Sequence, residues 1–286
     1  MEKPRNFRDL LQKRWDKGLF ACVGLDSEYE KIPILFMPKY VPEIRIFRFN
    51  KKIIDATHDL VCAYKPNIAF YEAMGELGMQ ALLQTMCYIR DVYPEIPIIL
   101  DAKRADIGNT NNGYAKAAFA EFGADAITVN PYFGSEAMKP FLEEKNKGII
   151  VLCRTSNPGA GEFQDLMVVT GDREMPPLYQ YIANQVANVW NTNGNCALVV
   201  GATNPAELAA VRKIVGRMPI LIPGIGKQGG DLEATVKAGQ DDRGQGMIIN
   251  SSREIIFASS DEDFAEAARA KTIKLNNGIN QYRLEV

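Results

Sequence analysis

Eight short apolar runs recur along the 286 residues of this chain, separated by stretches of helical character. They are Phe20–Leu25, Leu60–Tyr64, Ile96–Leu100, Ala126–Val129, Gly148–Cys153, Cys196–Val200, Pro219–Ile222 and Gly246–Asn250. Strands that stay apolar without alternation are those buried on both faces, as in parallel sheets. Eight strand–helix units in this length predict an α/β fold, a (β/α)8 TIM barrel. A doubly wound sheet is the alternative on pattern alone.

The connections carry helix punctuation. A helix expected from Thr110 to Phe122 stops at Gly123, a residue suited to helix termination. Asn204 followed by Pro205 reads as an N-cap with proline in the first turn. Residues 5–17 place Phe7, Leu10, Leu11 and Trp15 at helical spacing, an N-terminal helical extension expected to cap the barrel bottom. Residues 27–43 are broken by prolines and read as an elaboration of the first connection; residues 261–275 read as the last helix. No linker, repeat or low-complexity segment divides the chain, so residues 1–286 are expected to form a single domain.

Composition narrows the function classes. With 47% hydrophobic and 24% charged residues the chain is rich enough for a large core. A net charge of −2 gives no sign of nucleic-acid binding. No apolar run is long enough to span a bilayer, and Met1-Glu-Lys-Pro-Arg-Asn leads into a helical pattern rather than a secretory core. Cys22, Cys62, Cys87, Cys153 and Cys196 form no CxxC pair, and four of them sit in apolar runs, which fits a reduced, cytoplasmic protein. The one histidine, His58, falls in a helix expected over residues 51–60, which argues against histidine triads and zinc sites.

Polar residues gather where the runs end: Asp26, Lys65, Asp101 with Lys103, Thr155 with Ser156, Pro223 with Gly224, and Asn250 to Arg253. In a barrel these positions share one mouth, where active sites are built. The densest group is Asp101-Ala-Lys-Arg-Ala-Asp-Ile-Gly-Asn-Thr110. Residues two apart on a strand face the same side, so Asp101 and Lys103 project together, with Asp106 in the following loop. Two carboxylates bracketing a lysine are costly to gather in a dry site without a function; a surface ion-pair cluster is the alternative. Gly224-Ile-Gly-Lys-Gln-Gly229 matches GxGxxG but follows the seventh run, where barrels often bind phosphate rather than dinucleotides, with Arg253 as an added clamp; a purely structural turn is the alternative. Arg154-Thr-Ser-Asn-Pro-Gly-Ala-Gly161 reads either as a lid over a polar ligand or as a solvated loop.

From Gly24-Leu-Asp26 to Asn250-Ser-Ser-Arg253 these motifs resemble the orotidine 5′-phosphate decarboxylase family. The segment from Asp101 to Thr110 looks like that family's signature; Arg154 to Gly161 and Pro223 to Asp231 look like its longer-chain branch. Barrels that share Asp-x-Lys-x-x-Asp but use magnesium, such as 3-keto-gulonate-phosphate decarboxylase and hexulose-phosphate synthase, carry a glutamate at the end of strand two. Here that place is Lys65, and a charged lysine does not ligate magnesium. The resemblance therefore implies loss of CO2 from orotidine 5′-phosphate to give uridine 5′-phosphate, with no metal and no cofactor. It implies a charge network of Lys65, Asp101, Lys103 and Asp106, with Lys103 as the proton donor. It implies a homodimer in which Asp106, Ile107 and Thr110 enter the neighbouring subunit's site. Asp26 and Thr110 would bind the ribose, Ser156 the pyrimidine edge, and Pro223 the base. Gln228 and Arg253 would hold the phosphate, and Ser252 joins the substrate-binding set. Gly108 departs from the proline of several shorter relatives, which loosens that turn. A magnesium-dependent sugar-phosphate lyase or aldolase, and a nucleotide-binding barrel without turnover, are the competing readings.

Overall fold

The computed structural model describes residues 5–33, 41–171, 175–226 and 230–283. Eight strands alternate with helices in the order expected. The strands are β1 (Ala21–Gly24), β2 (Ala63–Lys65), β3 (Ile99–Arg104), β4 (Ala126–Val129), β5 (Gly148–Arg154), β6 (Cys196–Val200), β7 (Ile220–Pro223) and β8 (Met247–Ser251). The helices before β3 are α1 (Phe7–Trp15), α2 (Pro42–Thr57), α3 (Ile68–Glu72) and α4 (Gly75–Val92). Between β3 and β6 come α5 (Gly108–Lys116), α6 (Gly134–Leu142), α7 (Gly161–Gln164) and α8 (Leu178–Gln185). After β6 come α9 (Pro205–Val215), α10 (Leu232–Gly239), α11 (Arg253–Ile256) and α12 (Phe264–Tyr282).

All strand pairs are parallel, in the order β2-β1-β8-β7-β6-β5-β4-β3. The sheet closes between β2 and β3 through two bridges, Tyr64 to Ile98 and Asn67 to Asp101. Continuous burial explains the unalternating sequence: β1, β4, β6 and β8 are buried at every position. This is the (β/α)8 barrel, and the doubly wound alternative falls away because the sheet returns on itself.

Helix α1 seals the N-terminal end of the barrel, as its apolar spacing predicts. Phe7, Leu11 and Trp15 are buried, and the Trp15 indole donates to the Met247 carbonyl at 2.9 Å. Beside it Arg5 makes a two-pronged pair with Asp125, whose carboxylate also accepts the Ile98 amide at 2.9 Å. His58 follows α2 and stacks on Tyr93, ring centroids 4.3 Å apart, a packing role.

Several boundaries differ from expectation. Helix α5 begins at Gly108 and passes into a π-turn over Ala117–Glu121 before Gly123; α12 runs to Tyr282. Asn204 precedes α9 but does not cap it: its amide donates to the Thr155 carbonyl at 3.2 Å. That carboxamide ties the β6 exit to the β5 exit, which outcompetes the local cap. Of residues 27–43, the described part holds a 3-10 turn at Tyr29–Lys31 and the start of α2.

Arg212, buried on α9, donates to four carbonyls: Gly239 at 2.8 Å, Gly216 at 2.6 Å, Met218 at 2.7 Å and Gly246 at 2.9 Å. Burial pulls its guanidinium down to about 10, still charged at neutral pH. Arg212→Met strands these acceptors and costs roughly 3–5 kcal/mol in urea unfolding, since each buried unpaired acceptor costs about 1–3 kcal/mol with partial relaxation. Lysine, with three donors, recovers only part of it.

Candidate active site

Closure of the barrel builds the charge cluster. Gly24 lies opposite Lys65 in the β1–β2 ladder, and the Asp101 amide donates to the Pro66 carbonyl at 2.9 Å across the β2–β3 seam. The C-terminal ends of three strands thus bring Asp26, Lys65 and Asp101 together. Lys65 Nζ lies 2.9 Å from Asp101 Oδ2 and 3.8 Å from Asp26 Oδ1. Lys103 Nζ lies 2.6 Å from Asp101 Oδ1. The Lys65 side chain is 4% exposed and that of Lys103 48%, so one ammonium is sealed and the other faces the open mouth.

The environment fixes the ionisation. Burial alone would push the Lys65 ammonium down, but Asp101 and Asp26 outweigh it and the group is held well above the ordinary lysine range. Burial would push Asp101 up, yet the Lys65 and Lys103 charges and their hydrogen bonds hold it well below the carboxylate range. Asp101 is therefore anionic at neutral pH.

Strand β3 does not reach this geometry as a plain extended strand. Its register against β4 jumps from Leu100–Ile127 to Arg104–Val129, so residues 101–103 face only Thr128. Lys103 takes φ +46°, alone among the described non-glycine residues. The left-handed backbone costs a residue with a Cβ about 1–2 kcal/mol. Thr128 Oγ1 answers the bulge: it accepts the Ala102 and Lys103 amides at 3.0 and 2.9 Å and contacts Asp101 Oδ1 at 2.8 Å.

The cluster floors a cavity of about 490 Å³ at the C-terminal face of the barrel. Asp26, Lys65, Asp101, Lys103, Ser156, Pro223, Ser252 and Arg253 all line it, as expected for one shared mouth. Glycines allow two of these approaches. A Cβ on Gly24 would fall 1.9 Å from Ser252 Oγ, and one on Gly201 would fall 2.7 Å from the Ser156 Cβ. Leu152, Val199, Leu221, Pro223 and Ile225 give the cavity an apolar side, facing the charged and polar groups. Asp26 Oδ1 is buried without a hydrogen-bond partner among the described residues, an acceptor suited to a hydroxyl donor.

Asp106, Ile107 and Thr110 do not line this cavity. Asp106 Oδ1 accepts the Ile107 amide at 2.7 Å, the Ile107 side chain is 61% exposed, and Thr110 is exposed on α5. Gln228, with the last half of the glycine-rich segment, lies outside the described residues. The Arg154–Gly161 segment is folded: Gln164 accepts the Thr155 amide at 2.8 Å, and Arg154 pairs with Asp165 at 3.0 Å.

Thr128, Asn67, Gln164 and Glu254 line the cavity and were not legible as site residues. Thr128 is hidden inside an apolar run, where threonine reads as another β-branched strand former. Its one signal is a hydroxyl near the C-terminal end of an otherwise apolar barrel strand.

The family model for "Orotidine 5'-phosphate decarboxylase / HUMPS family" matches residues 21–270. The orotidine 5′-phosphate decarboxylase of Cellvibrio japonicus is 50% identical over 279 residues, 97% of this chain and 99% of that one. That of a Janthinobacterium species is 53% identical over 262 residues, 91% of this chain and 93% of that one. Among solved structures, Leishmania donovani OMP decarboxylase superposes with a TM-score of 0.80 at 38% identity, covering 96% of this chain and 99% of that one. Leishmania donovani UMP synthase matches with a TM-score of 0.85 at 40% identity, and here the chain spans 57% of the longer protein. A barrel match across nearly the full length, with the Asp–Lys cluster at its mouth, places the chain in the orotidine 5′-phosphate decarboxylase / HUMPS family.

Proposed function

We propose that this chain converts orotidine 5′-phosphate to uridine 5′-phosphate and CO2, a step of pyrimidine nucleotide synthesis, using no metal or cofactor. The observation that carries the reading is the Lys103–Asp101–Lys65 chain, in which one buried carboxylate holds two ammonium groups at 2.6 and 2.9 Å. The half-exposed Lys103 ammonium, held by Asp101 at the floor of the cavity, is placed to meet a negative charge developing there. A magnesium ion does not fit here: the space beside Asp26 and Asp101 already holds the Lys65 ammonium.

The roles are those that the family resemblance implies. The bond from C6 to the carboxylate breaks, its electron pair stays on C6, and Lys103 delivers the proton that completes uridine 5′-phosphate. The pyrimidine offers no ordinary electron sink, so preorganised charge must lower the barrier. Asp101 fixes Lys103 and lies near the departing carboxylate; Lys65 keeps Asp101 ionised and in place. Asp26 takes ribose hydroxyls, Ser156 the pyrimidine edge and Pro223 the base, while Ser252 and Arg253, with Gln228, hold the phosphate. Binding energy from the ribose and phosphate, remote from C6, then serves the chemical step.

The reading includes a homodimer in which Asp106, Ile107 and Thr110 complete the partner's site. In its support, Ile107 after β3 and Tyr132 and Phe133 after β4 are exposed apolar side chains, and Asn111 of α5 ties the Asp106 carbonyl to that of Ala137 in α6. The reading also treats residues 1–286 as one domain in the cytoplasm. All five cysteines are free, which suits a reducing compartment. No helix among the described residues is long and apolar enough to cross a membrane.

The test is spectrophotometric loss of orotidine 5′-phosphate in excess EDTA. Turnover unaffected by the chelator is expected. Activity that disappears with EDTA and returns with magnesium would overturn the metal-free reading. Tight binding of uridine 5′-phosphate with no turnover of orotidine 5′-phosphate would make the chain a nucleotide-binding barrel.

A further inference from the structure

We propose that Thr128 is the positioning residue of this site: its hydroxyl locks the bulge in β3 that aims the Lys103 ammonium. The inference rests on the decarboxylase reading above and adds a residue that reading does not contain.

Three residues of β3, Asp101, Ala102 and Lys103, stand against the single residue Thr128 of β4. A bulge of this kind breaks the ladder and leaves amides without strand partners. Here both orphaned amides, of Ala102 and Lys103, turn onto Thr128 Oγ1 at 3.0 and 2.9 Å. The side chain replaces the missing ladder carbonyl. Lys103 can then hold φ +46°, a conformation that a residue with a Cβ seldom adopts unaided.

The hydroxyl has no freedom left. It carries one proton and two lone pairs. Two amides take the lone pairs, so the proton is committed to Asp101 Oδ1 at 2.8 Å. Thr128 is 1% exposed, so solvent offers no alternative partner. Asp101 Oδ1 is also the oxygen that holds Lys103 Nζ at 2.6 Å. One hydroxyl thus fixes both ends of the catalytic lysine: its backbone directly, and its ammonium through Asp101. Lys65 holds the other carboxylate oxygen, so Asp101 cannot swing. Thr128 touches no reacting atom in this scheme; it acts through Lys103.

The substitution that isolates the hydroxyl is Thr128→Val, which keeps the β-branched shape that suits a buried strand. The Lys103 amide and Asp101 then lose their shared partner, and Lys103 samples orientations off the reacting carbon. The ribose and phosphate groups at Asp26, Ser252 and Arg253 come from other strands and are left intact.

The test compares wild type, Thr128→Val and Thr128→Ser in steady-state decarboxylation of orotidine 5′-phosphate, with sites counted by uridine 5′-phosphate binding. Thr128→Val is expected to lower kcat per binding site at least about tenfold, with KM and uridine 5′-phosphate affinity within about threefold of wild type. Thr128→Ser, which restores the hydroxyl, is expected to recover most of kcat. Wild-type kcat in Thr128→Val overturns the proposal. So does a serine variant as slow as the valine one, or a loss carried by KM alone. If Thr128→Val does not bind uridine 5′-phosphate, Thr128→Cys takes its place, with the same criteria. A wild type without decarboxylase activity tells against the proposed function instead, and is read before any variant.

Discussion

Lys103→Ala is expected to lower kcat by roughly 10⁴-fold or more while leaving the protein folded and able to bind uridine 5′-phosphate. Two contributions disappear together. An ammonium about 4 Å from a full negative charge, at an effective dielectric near 20, is worth about 4 kcal/mol, or roughly a thousandfold in rate. Loss of the positioned proton donor adds a further ~10²–10⁴, and the two overlap because one group supplies both. The fold tolerates the change because the Lys103 side chain is half exposed and Asp101 keeps Lys65 at 2.9 Å and Thr128 at 2.8 Å. An exposed ion-pair partner of this kind contributes about 0–1 kcal/mol. Asp101→Ala is a poorer probe: it leaves the sealed Lys65 ammonium with only Asp26 at 3.8 Å, and a broken buried pair costs about 3–5 kcal/mol. Lys103→Arg is not expected to rescue turnover. A guanidinium keeps the charge but does not give up a proton in this range, and its planar fork does not fit a point contact on one oxygen. Turnover within tenfold of wild type in Lys103→Ala, measured per uridine 5′-phosphate site, would remove Lys103 from the chemistry.

The parts of this site that the sequence disclosed are those that depend on strand ends. Each apolar run fixes a buried strand, and each strand's last residues fix what reaches the mouth, so Asp26, Lys65, Ser156 and Arg253 could be placed by counting along the chain. Residues whose role depends on departures from regular structure could not. Period-two alternation puts Asp101 and Lys103 on one side, and they do meet, but by a different route: β3 is bulged and Lys103 is left-handed. Nothing in Asp-Ala-Lys-Arg announces that, because lysine has no preference for positive φ. Thr128 escaped for the complementary reason, since its partners are two amides and a carboxylate brought to it by the bulge. Asn204 shows the same limit. Its local pattern is that of an N-cap, and a long-range partner, the Thr155 carbonyl, wins. Polar networks under the site were equally silent. Asn50, fully buried on α2, accepts from Ser27 at 2.5 Å and donates to Tyr71 and Thr85 at 3.0 Å each, bracing the segment that carries Asp26. Four residues far apart in sequence make one network, and no spacing rule joins them.

Mixing Lys103→Ala and Asp106→Ala subunits is expected to restore activity that neither variant has alone. The signature segment is divided by the fold: Asp101 and Lys103 floor the cavity of their own chain, whereas Asp106 lies beyond the end of β3 and does not line it. If Asp106 serves the neighbouring subunit, each homodimeric variant carries two defective sites. A heterodimer carries one site lacking both groups and one with an intact Lys103 and an intact partner Asp106. Random exchange makes half the dimers mixed, so about a quarter of wild-type activity per site is expected, in a two-fold assembly whose subunits trade the same element. The measurement is decarboxylation after the two variants are unfolded together and refolded, against each refolded alone. A second carboxylate beside Asp101 is costly in one chain, where Lys65 and Lys103 are already balanced by Asp26 and Asp101. Supplied from a partner, its charge is imposed only when the dimer forms, so the folding of each barrel does not bear it. Recovery to the expected fraction would locate Asp106 across the interface. No recovery, with refolding of both parents verified by uridine 5′-phosphate binding, would return Asp106 to its own chain and leave the exposed Ile107, Tyr132 and Phe133 without a part in the site.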